Sequence, residues 1–345
     1  MSDSIGYCTI DENGMVLDQN KHPILALDQV HTFFDTLQLG DNFELTAQFH
    51  NQTVFVEVFD SPLIAKEIKL SPQSNELINS YGLRWEFELS SLVIDEWDRF
   101  HGLTTTNLPF TMNRKAQDQF FDQLDEFDDD TFCYNKVKYT PGPFWIVGEP
   151  SINTEFYWTQ KYIQDQAGWD LGEPAAGLKY LLPKLKLPAS RVLVIGGGNG
   201  HDAAHFAQQG HHVTQIDISP EAITRAKNNY GNLNHLKFIE ADIFELPHTM
   251  YNQYDVVFEH TCFCAIDPNR RNDLIKQWRR LLHSEGTLLG VFFTMPKRVG
   301  PPFGASEWEL RRRLQSHFQP LIWERFRHSI KPRLGRELLT YLKKK

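Results

Sequence analysis

Four glycines and one acid, in the order Gly196-Gly197-Gly198-Asn199-Gly200 and then Asp217, point most directly to chemistry in this chain. Glycines carry no Cβ, so a loop of them can run close along a ligand. A carboxylate at the end of the next strand can accept hydrogen bonds from a ribose diol. The spacing Gly196-x-Gly198-x-Gly200 differs from the dinucleotide fingerprint Gly-x-Gly-x-x-Gly. It admits an uncharged or zwitterionic group as readily as a pyrophosphate. Asp202, just past the loop, reads equally as an acid that holds a ligand's ammonium and as an acid favoured by the dipole at a helix N-terminus. Ser219-Pro220 is a helix start, an N-cap serine with proline in the first position. It accounts for the serine but not for the acid before it.

Two further segments extend the site. In Glu240-Ala241-Asp242-Ile243-Phe244, an acid can accept a bond from an exocyclic amine while apolar neighbours cover a purine ring. Residues 258–268 follow the next strand, where the reactive part of such a ligand would point. His260 with Cys262-x-Cys264 suggests zinc, but no second ligand cluster accompanies it and alternate residues cannot close a tetrahedron alone, so no metal is expected. Cys262 as a nucleophile lacks a paired base at a set distance.

The elements that must position these residues alternate. Helices are predicted over 154–166, 173–185, 201–209, 220–229, 269–283 and 306–317. Strands are predicted over 191–195, 212–217, 236–240, 254–258, 286–294, 321–328 and 335–342. This order implies a doubly wound, mainly parallel sheet, with the last two strands closing one edge as an antiparallel hairpin. Residues 1–140 read instead as a small α+β unit. It has a hairpin turn at Asn13-Gly14, an amphipathic helix through Val30, Phe33, Phe34 and Leu37, and a strand with alternating Phe43, Leu45, Ala47 and Phe49. Residues 53–59 pair with that strand across His50-Asn51-Gln52. A third strand is predicted over 83–89 and a helix over 115–127. The histidines here, His22, His31, His50 and His101, lack metal-ligand spacing. Thr140-Pro141-Gly142-Pro143 and Gly148-Glu149-Pro150 mark a linker, so domains are expected over 1–145, of unknown role, and 146–345.

Taken together, the second domain resembles a class I S-adenosylmethionine-dependent methyltransferase, and more narrowly the thiopurine S-methyltransferase family with its thiol and halide methyltransferase relatives. The resemblance rests on Trp158-x-x-x-Tyr162, Gly168-Trp169-Asp170-Leu171-Gly172, the run from Leu193 to Asp202, Ile216-Asp217-Ile218-Ser219-Pro220-Glu221, Asp242-Ile243-Phe244, Phe263-Cys264-Ala265-Ile266-Asp267-Pro268-x-x-Arg271 and Gly300-Pro301-Pro302-Phe303. It covers about residues 153–345. It implies a Rossmann-like fold with a seven-stranded, mainly parallel sheet and S-adenosylmethionine as cofactor. By position it implies Gly196, Gly198, Gly200 and Asp202 at the methionine part, Asp217 and Ile218 at the ribose, and Asp242 and Ile243 at the adenine. Thr261, Cys262 and Phe263 would flank the sulfonium. Trp158 and Trp169 would line the cofactor and acceptor, and Arg271 would lie near the acceptor, with Arg333 as a second arginine. Arg271, Cys262 and His260 are the catalytic candidates. Gly197, Ile195 and Tyr162 depart from the family, which often has cysteine, proline and tryptophan there.

The implied reaction is in-line methyl transfer to a small soft nucleophile, foremost a thiol. An N- or O-methyltransferase would need a base, for which His201, His260 and Glu259 are the candidates. A non-catalytic cofactor-binding protein is the other alternative, and a nicotinamide oxidoreductase would need the other glycine spacing.

Composition bounds the rest. Four cysteines form no disulfide framework, no apolar run approaches the ~18 residues of a membrane span, and residues 1–5 do not open a secretory signal, so a cytoplasmic setting is expected. Net charge is −9, but residues 1–150 hold 25 acids and 9 bases while the remainder holds 19 acids and 26 bases. Opposite signs suggest that the N-terminal domain docks on the C-terminal one. The bases are scattered, so a small-molecule acceptor is expected and nucleic acid is not.

Overall fold

The computed structural model describes residues 6–345; the leader reading at residues 1–5 lies outside them. The chain divides into two compact units. Among the described residues the first comprises 6–146, 295–298 and 306–308, and the second 147–294, 299–305 and 309–345.

In the first unit, a five-stranded sheet runs in the order Val16–Leu17, Gly6–Ile10, Gln52–Val58, Leu45–Phe49, Gln38–Leu39. His50 and Asn51 both take positive φ, 50° and 61°, and close the expected hairpin as a two-residue turn between Phe49 and Gln52. The hairpin at Asn13-Gly14 forms around Asp11, whose carboxylate accepts the amides of Asn13 and Met15, each at 2.8 Å. A second five-stranded sheet was not legible in sequence: its strands are two to four residues long, too short to show a period of two. One of them, Gly142–Pro143, falls where the linker was expected and pairs in parallel with Val93–Ile94. The helix predicted to 127 spans Arg114–Phe121. Asp122, Asp125 and Glu126 follow, and acids oppose the dipole at a helix C-terminus, so Glu126–Phe127 joins a small sheet instead. The strand predicted over 83–89 is limited to Arg84–Glu86.

The second unit holds the expected seven-stranded sheet. Its strands are β1 (Arg191–Ile195), β2 (His212–Asp217), β3 (Leu236–Glu240), β4 (Tyr254–His260), β5 (Leu282–Phe293), β6 (Phe318–Phe326) and β7 (Glu337–Lys344). They lie in the order β3-β2-β1-β4-β5-β7-β6. The pairings from β3 to β5 are parallel. The terminal pair is antiparallel as expected, but β7 inserts between β5 and β6, so it alone runs against the sheet.

Helices α1 (Glu155–Ile163), α2 (Ala176–Leu185), α3 (His201–Gln208), α4 (Pro220–Tyr230), α5 (Arg271–Leu281) and α6 (Glu307–Leu314) connect the strands. Alternation within β1 sends Leu193 and Ile195 into a core with Leu274, Ile275 and Trp278 of α5. Val192 and Val194 enter another with Leu178 and Leu181 of α2 and Phe206 of α3. Covering both faces removes about 25 cal/mol of unfavourable hydration per Å² of apolar surface. It also leaves the carboxyl ends of β1, β2 and β4 as the place where such a sheet holds a ligand. No helix among the described residues is long and apolar enough to cross a membrane.

Candidate active site

The glycine loop leaves β1 with Gly196 at φ +53° and Gly198 at φ +52°, a region that L side chains rarely adopt. A Cβ on Gly198 would lie 2.9 Å from the Tyr162 hydroxyl, and one on Gly196 would lie 3.1 Å from Cys262 Sγ. The loop is therefore pressed between the aromatic residues of 158–169 and the turn after β4. A Cβ on Gly197 would meet the Gln215 side chain at 2.5 Å. Gln215 is fully buried on β2 and its Nε2 donates to the Gly198 carbonyl at 2.9 Å. This glutamine fills the space that a side chain at 197 would take, and its only sequence signal was a polar residue inside an apolar strand.

Asp217 ends β2 beneath the loop. One carboxylate oxygen accepts the Gly198 amide and the other the Ser219 amide, both at 2.9 Å. Burial raises its pKa, and those two amides offset only part of the rise. Ser219 caps α4 by accepting from Ala222, and its hydroxyl lies 3.0 Å from that of Thr159 on α1. Ile218 between them is half-buried.

Aromatic residues close the other side of the loop. Trp169 meets Trp158 and Tyr162 edge to face, each with ring centroids 5.6 Å apart. Its indole donates to the Tyr162 hydroxyl at 3.3 Å, while the Trp158 indole donates to the Ile152 carbonyl at 2.8 Å. Asp170 then binds the Asn199 side-chain amide and His201. The His201 bond, outweighing burial with help from the Gly172 amide and Asn199, pulls Asp170 down to about 2.

Beyond the loop, Asp202 accepts the Ala175 amide at 2.7 Å and pairs with His260 Nδ1 at 2.8 Å. His260 Nε2 lies 2.8 Å from Arg333 Nη1. A guanidinium only donates, so Nε2 accepts and the ring proton sits on Nδ1, donating to Asp202. Arg333 also donates to the Trp169 carbonyl at 3.0 Å and to Glu337 at 3.4 Å. Burial raises the Asp202 pKa, but His260 and the Ala175 amide outweigh it and the net shift is downward. The two readings of Asp202 are thus joined by a third: it fixes a histidine. Both ring nitrogens of His260 are committed in this arrangement, so it is no free base here.

At the end of β3, Asp242 accepts the Phe244 amide at 2.8 Å and caps a short 3₁₀ turn. Ile243 in that turn is buried. The Ala241 amide donates to the Asp217 carbonyl at 2.9 Å, joining the ends of β3 and β2.

Thr261 opens the turn after β4 at φ +61°. The Cys264 thiol donates to the Thr261 carbonyl at 3.2 Å. Burial drives the Cys262 thiol well above its ordinary range and Cys264 up to about 12. Neither is a ready thiolate. Among the described residues no group of three or more His, Cys, Asp or Glu is placed to hold a metal ion.

Arg271 also departs from expectation. It is 0% exposed, with Nη1 3.0 Å from Glu309, Nη2 2.9 Å from the Gly304 carbonyl and its guanidinium 4.3 Å from the Phe263 ring centroid. Arg313 shares Glu309 at 2.7 Å. This is a core ion pair and not a cation lining open space. The arginine bonded into the site is Arg333.

The profile of the thiopurine S-methyltransferase family matches residues 153–337. The chain belongs to that family. It is an S-adenosylmethionine-dependent methyltransferase. This methyltransferase is 30% identical over 199 residues to a probable thiol methyltransferase 2 of Arabidopsis thaliana, covering 56% of the chain and 87% of the relative. It is 29% identical over 192 residues to thiocyanate methyltransferase 1 of the same plant, covering 54% and 84%. A thiopurine S-methyltransferase of Acinetobacter baylyi is 24% identical over 179 residues, covering 45% and 81%. Among solved structures, a Burkholderia thailandensis 1,6-didemethyltoxoflavin-N1-methyltransferase aligns with a TM-score of 0.47 at 21% identity, covering 64% of this chain and 99% of that one.

The residues present fit the cofactor. Gly196, Gly198 and Gly200 hold the loop at positive φ in a close-packed turn that has no room for side chains, and Asn199 Oδ1 within it is buried with no hydrogen-bond partner among the described residues.

Proposed function

We propose that the methyltransferase moves a methyl group to the sulfur of a small thiol or comparable soft anion. When bound, S-adenosylmethionine supplies an electrophilic methyl group on a positively charged sulfur. In this reading Gly196, Gly198 and Gly200 border the methionine part, and Asp202 supports that end through His260. Asp217 and Ile218 hold the ribose, Asp242 and Ile243 the adenine, and 261–263 flank the sulfur. Trp158 and Trp169 shape the acceptor side and exclude water. Aligning donor and acceptor supplies most of the rate, and aromatic faces favour the sulfonium's charge.

The commitment of His260 to Asp202 and Arg333 carries this reading. Amines and hydroxyls need a base that can take a proton, whereas a thiol near its ordinary pKa is already a few per cent thiolate at neutral pH and thiocyanate needs no base. The relatives' names, thiol, thiocyanate and thiopurine methyltransferase, agree. Incubating the purified protein with S-adenosylmethionine and a panel of hydrosulfide, small thiols, thiocyanate, amines and phenols tests it by mass spectrometry. S-methyl products at rates well above any N- or O-methyl product are expected, and the reverse order overturns it.

The four cysteines are all free, which supports a reducing, cytoplasmic setting. The opposite charges of residues 1–150 and the remainder support electrostatic docking of the N-terminal domain on the catalytic one. Its sign is a radius of gyration, by solution scattering of the full chain, that rises with salt; an unchanged radius contradicts it.

A further inference from the structure

Glu259 has no part in the reaction as drawn so far. It lies on β4 and is 1% exposed. Phe258 pairs with Val194 of β1, so Glu259 stands one step farther toward the glycine loop. Its Oε1 accepts the Phe263 amide at 2.9 Å and so shapes the turn that presses on Gly196. Its Oε2 is buried with no hydrogen-bond partner among the described residues. The residue beside it on β5 is Gly290, so no side chain arrives from there.

The charged and titratable groups around it come from every neighbouring element. Asp202 faces it from α3 and Arg271 from α5. Arg271 is held by Glu309 of α6, which Arg313 shares. Cys262 and Cys264 face it from the turn. His260, next on its own strand, is bound to Asp202 and Arg333. Burial outweighs the turn amides and Arg271 and raises Glu259 to about 8, so it holds its proton at neutral pH. A buried carboxyl with an unmet oxygen costs stability whenever it ionises, unless a positive charge comes near. The cofactor brings one on sulfur, and it vanishes when the methyl leaves.

We propose that Glu259 is the charge partner of the sulfonium, losing its proton as S-adenosylmethionine binds and regaining one in each turnover. This rests on the placement of the sulfur beside 261–263 proposed above. On binding, the carboxyl O–H breaks and its proton passes to the buffer. The acceptor reacts as its anion, a thiol having already given its S–H proton to the buffer; its sulfur forms the new S–CH₃ bond, and the old C–S bond leaves its electron pair on the cofactor's sulfur. Glu259 then takes a proton back from the buffer, which balances the one released on binding. A sulfonium–carboxylate pair thus becomes a neutral thioether and a neutral acid, and charge separation is lost in a site that solvates charge poorly. Product is no longer held by the pair.

Calorimetric titration of the whole protein and its Glu259→Gln variant with S-adenosylmethionine and with S-adenosylhomocysteine tests this. Titrations run in buffers of different ionisation enthalpy, from about pH 6.5 to about pH 8.5. Ligand amino groups titrate alike in both proteins, so their difference isolates Glu259. Near neutral pH the unaltered protein should release roughly half a proton or more with the sulfonium ligand beyond that released with the thioether. Its preference for the sulfonium should rise about tenfold across the range. E259Q should bind both ligands and lose both effects. Equal proton counts in the two proteins overturn the proposal. So does a pH-independent ligand preference of the unaltered protein, which needs no variant. Failure of either ligand to bind the unaltered protein would break the site assignment itself, and this proposal with it.

Discussion

Asp95, Arg99 and His101 in the first unit and Asp202, His260 and Arg333 in the second are the same three residue types, each set bonded together and each partly or wholly buried. In the first, His101 Nε2 lies 3.0 Å from Asp95 and Nδ1 lies 2.8 Å from the Thr111 hydroxyl. Arg99 bonds to Asp95 at 2.8 Å and Asp60 at 2.7 Å, and its guanidinium lies 3.3 Å from the Trp308 ring centroid. His101 and Asp95 are 5% and 8% exposed, and burial lowers the His101 pKa. In the second set, the arginine bonds to the histidine itself and to the Trp169 backbone, at the carboxyl end of a parallel sheet. Composition does not separate the two networks; position at the strand ends does, and on it rests the proposal that the second is the functional one.

The largest effect should fall on the first network. Asp95→Ala removes one side of a buried charge cluster and should lower unfolding free energy by about 3–5 kcal/mol, read by denaturant titration, with cofactor affinity of the folded protein unchanged. Burial alone would raise the Asp95 pKa, but His101 and Arg99 bring it down to about 2, below its ordinary 3.8. Its contribution, about 2 kcal/mol, is therefore present above about pH 4 and lost as pH falls toward 2. That slope should flatten in the variant. In the second unit, Asp217→Ala should weaken S-adenosylmethionine binding about a hundredfold, since it removes the proposed ribose partner and frees the Gly198 and Ser219 amides together. Calorimetry showing unchanged affinity would undo the assignment.

A smaller effect is expected at His260. Its replacement by alanine should lower kcat about tenfold, with cofactor Kd moving less than about threefold and stability moving less than in His101→Ala. If His101→Ala harms turnover per folded molecule as much as His260→Ala, the contrast between the networks fails. The smallest effect belongs to Cys262→Ser, where turnover should stay within about threefold because the thiol is no nucleophile. Abolished turnover in a folded, cofactor-binding Cys262→Ser protein would restore the catalytic reading.

The places of the glycine loop after β1 and of Asp217 at the end of β2 were legible because local spacing marks them: three glycines after an apolar strand, and an acid at the end of the next. The alternation of strands and helices was legible for the same reason. The Asp202–His260–Arg333 chain was not, because its members lie 58 and 73 residues apart and only the closed sheet brings them together. The burial of Arg271 carries a signal in the sequence. The arginine lies three, four and seven residues before Leu274, Ile275 and Trp278, all buried on one face of α5, and that apolar stripe carries it into the core. In the first unit, strands of two to four residues outnumber the longer ones, and their pairing is set by contacts distant in sequence.

The most direct test is a crystal structure of the full chain with S-adenosylhomocysteine. The account predicts the ribose hydroxyls within hydrogen-bond distance of Asp217, the methionine end along 196–200 and the sulfur beside 261–263. A nucleoside bound elsewhere, with Asp217 still bonded only to Gly198 and Ser219, would contradict it.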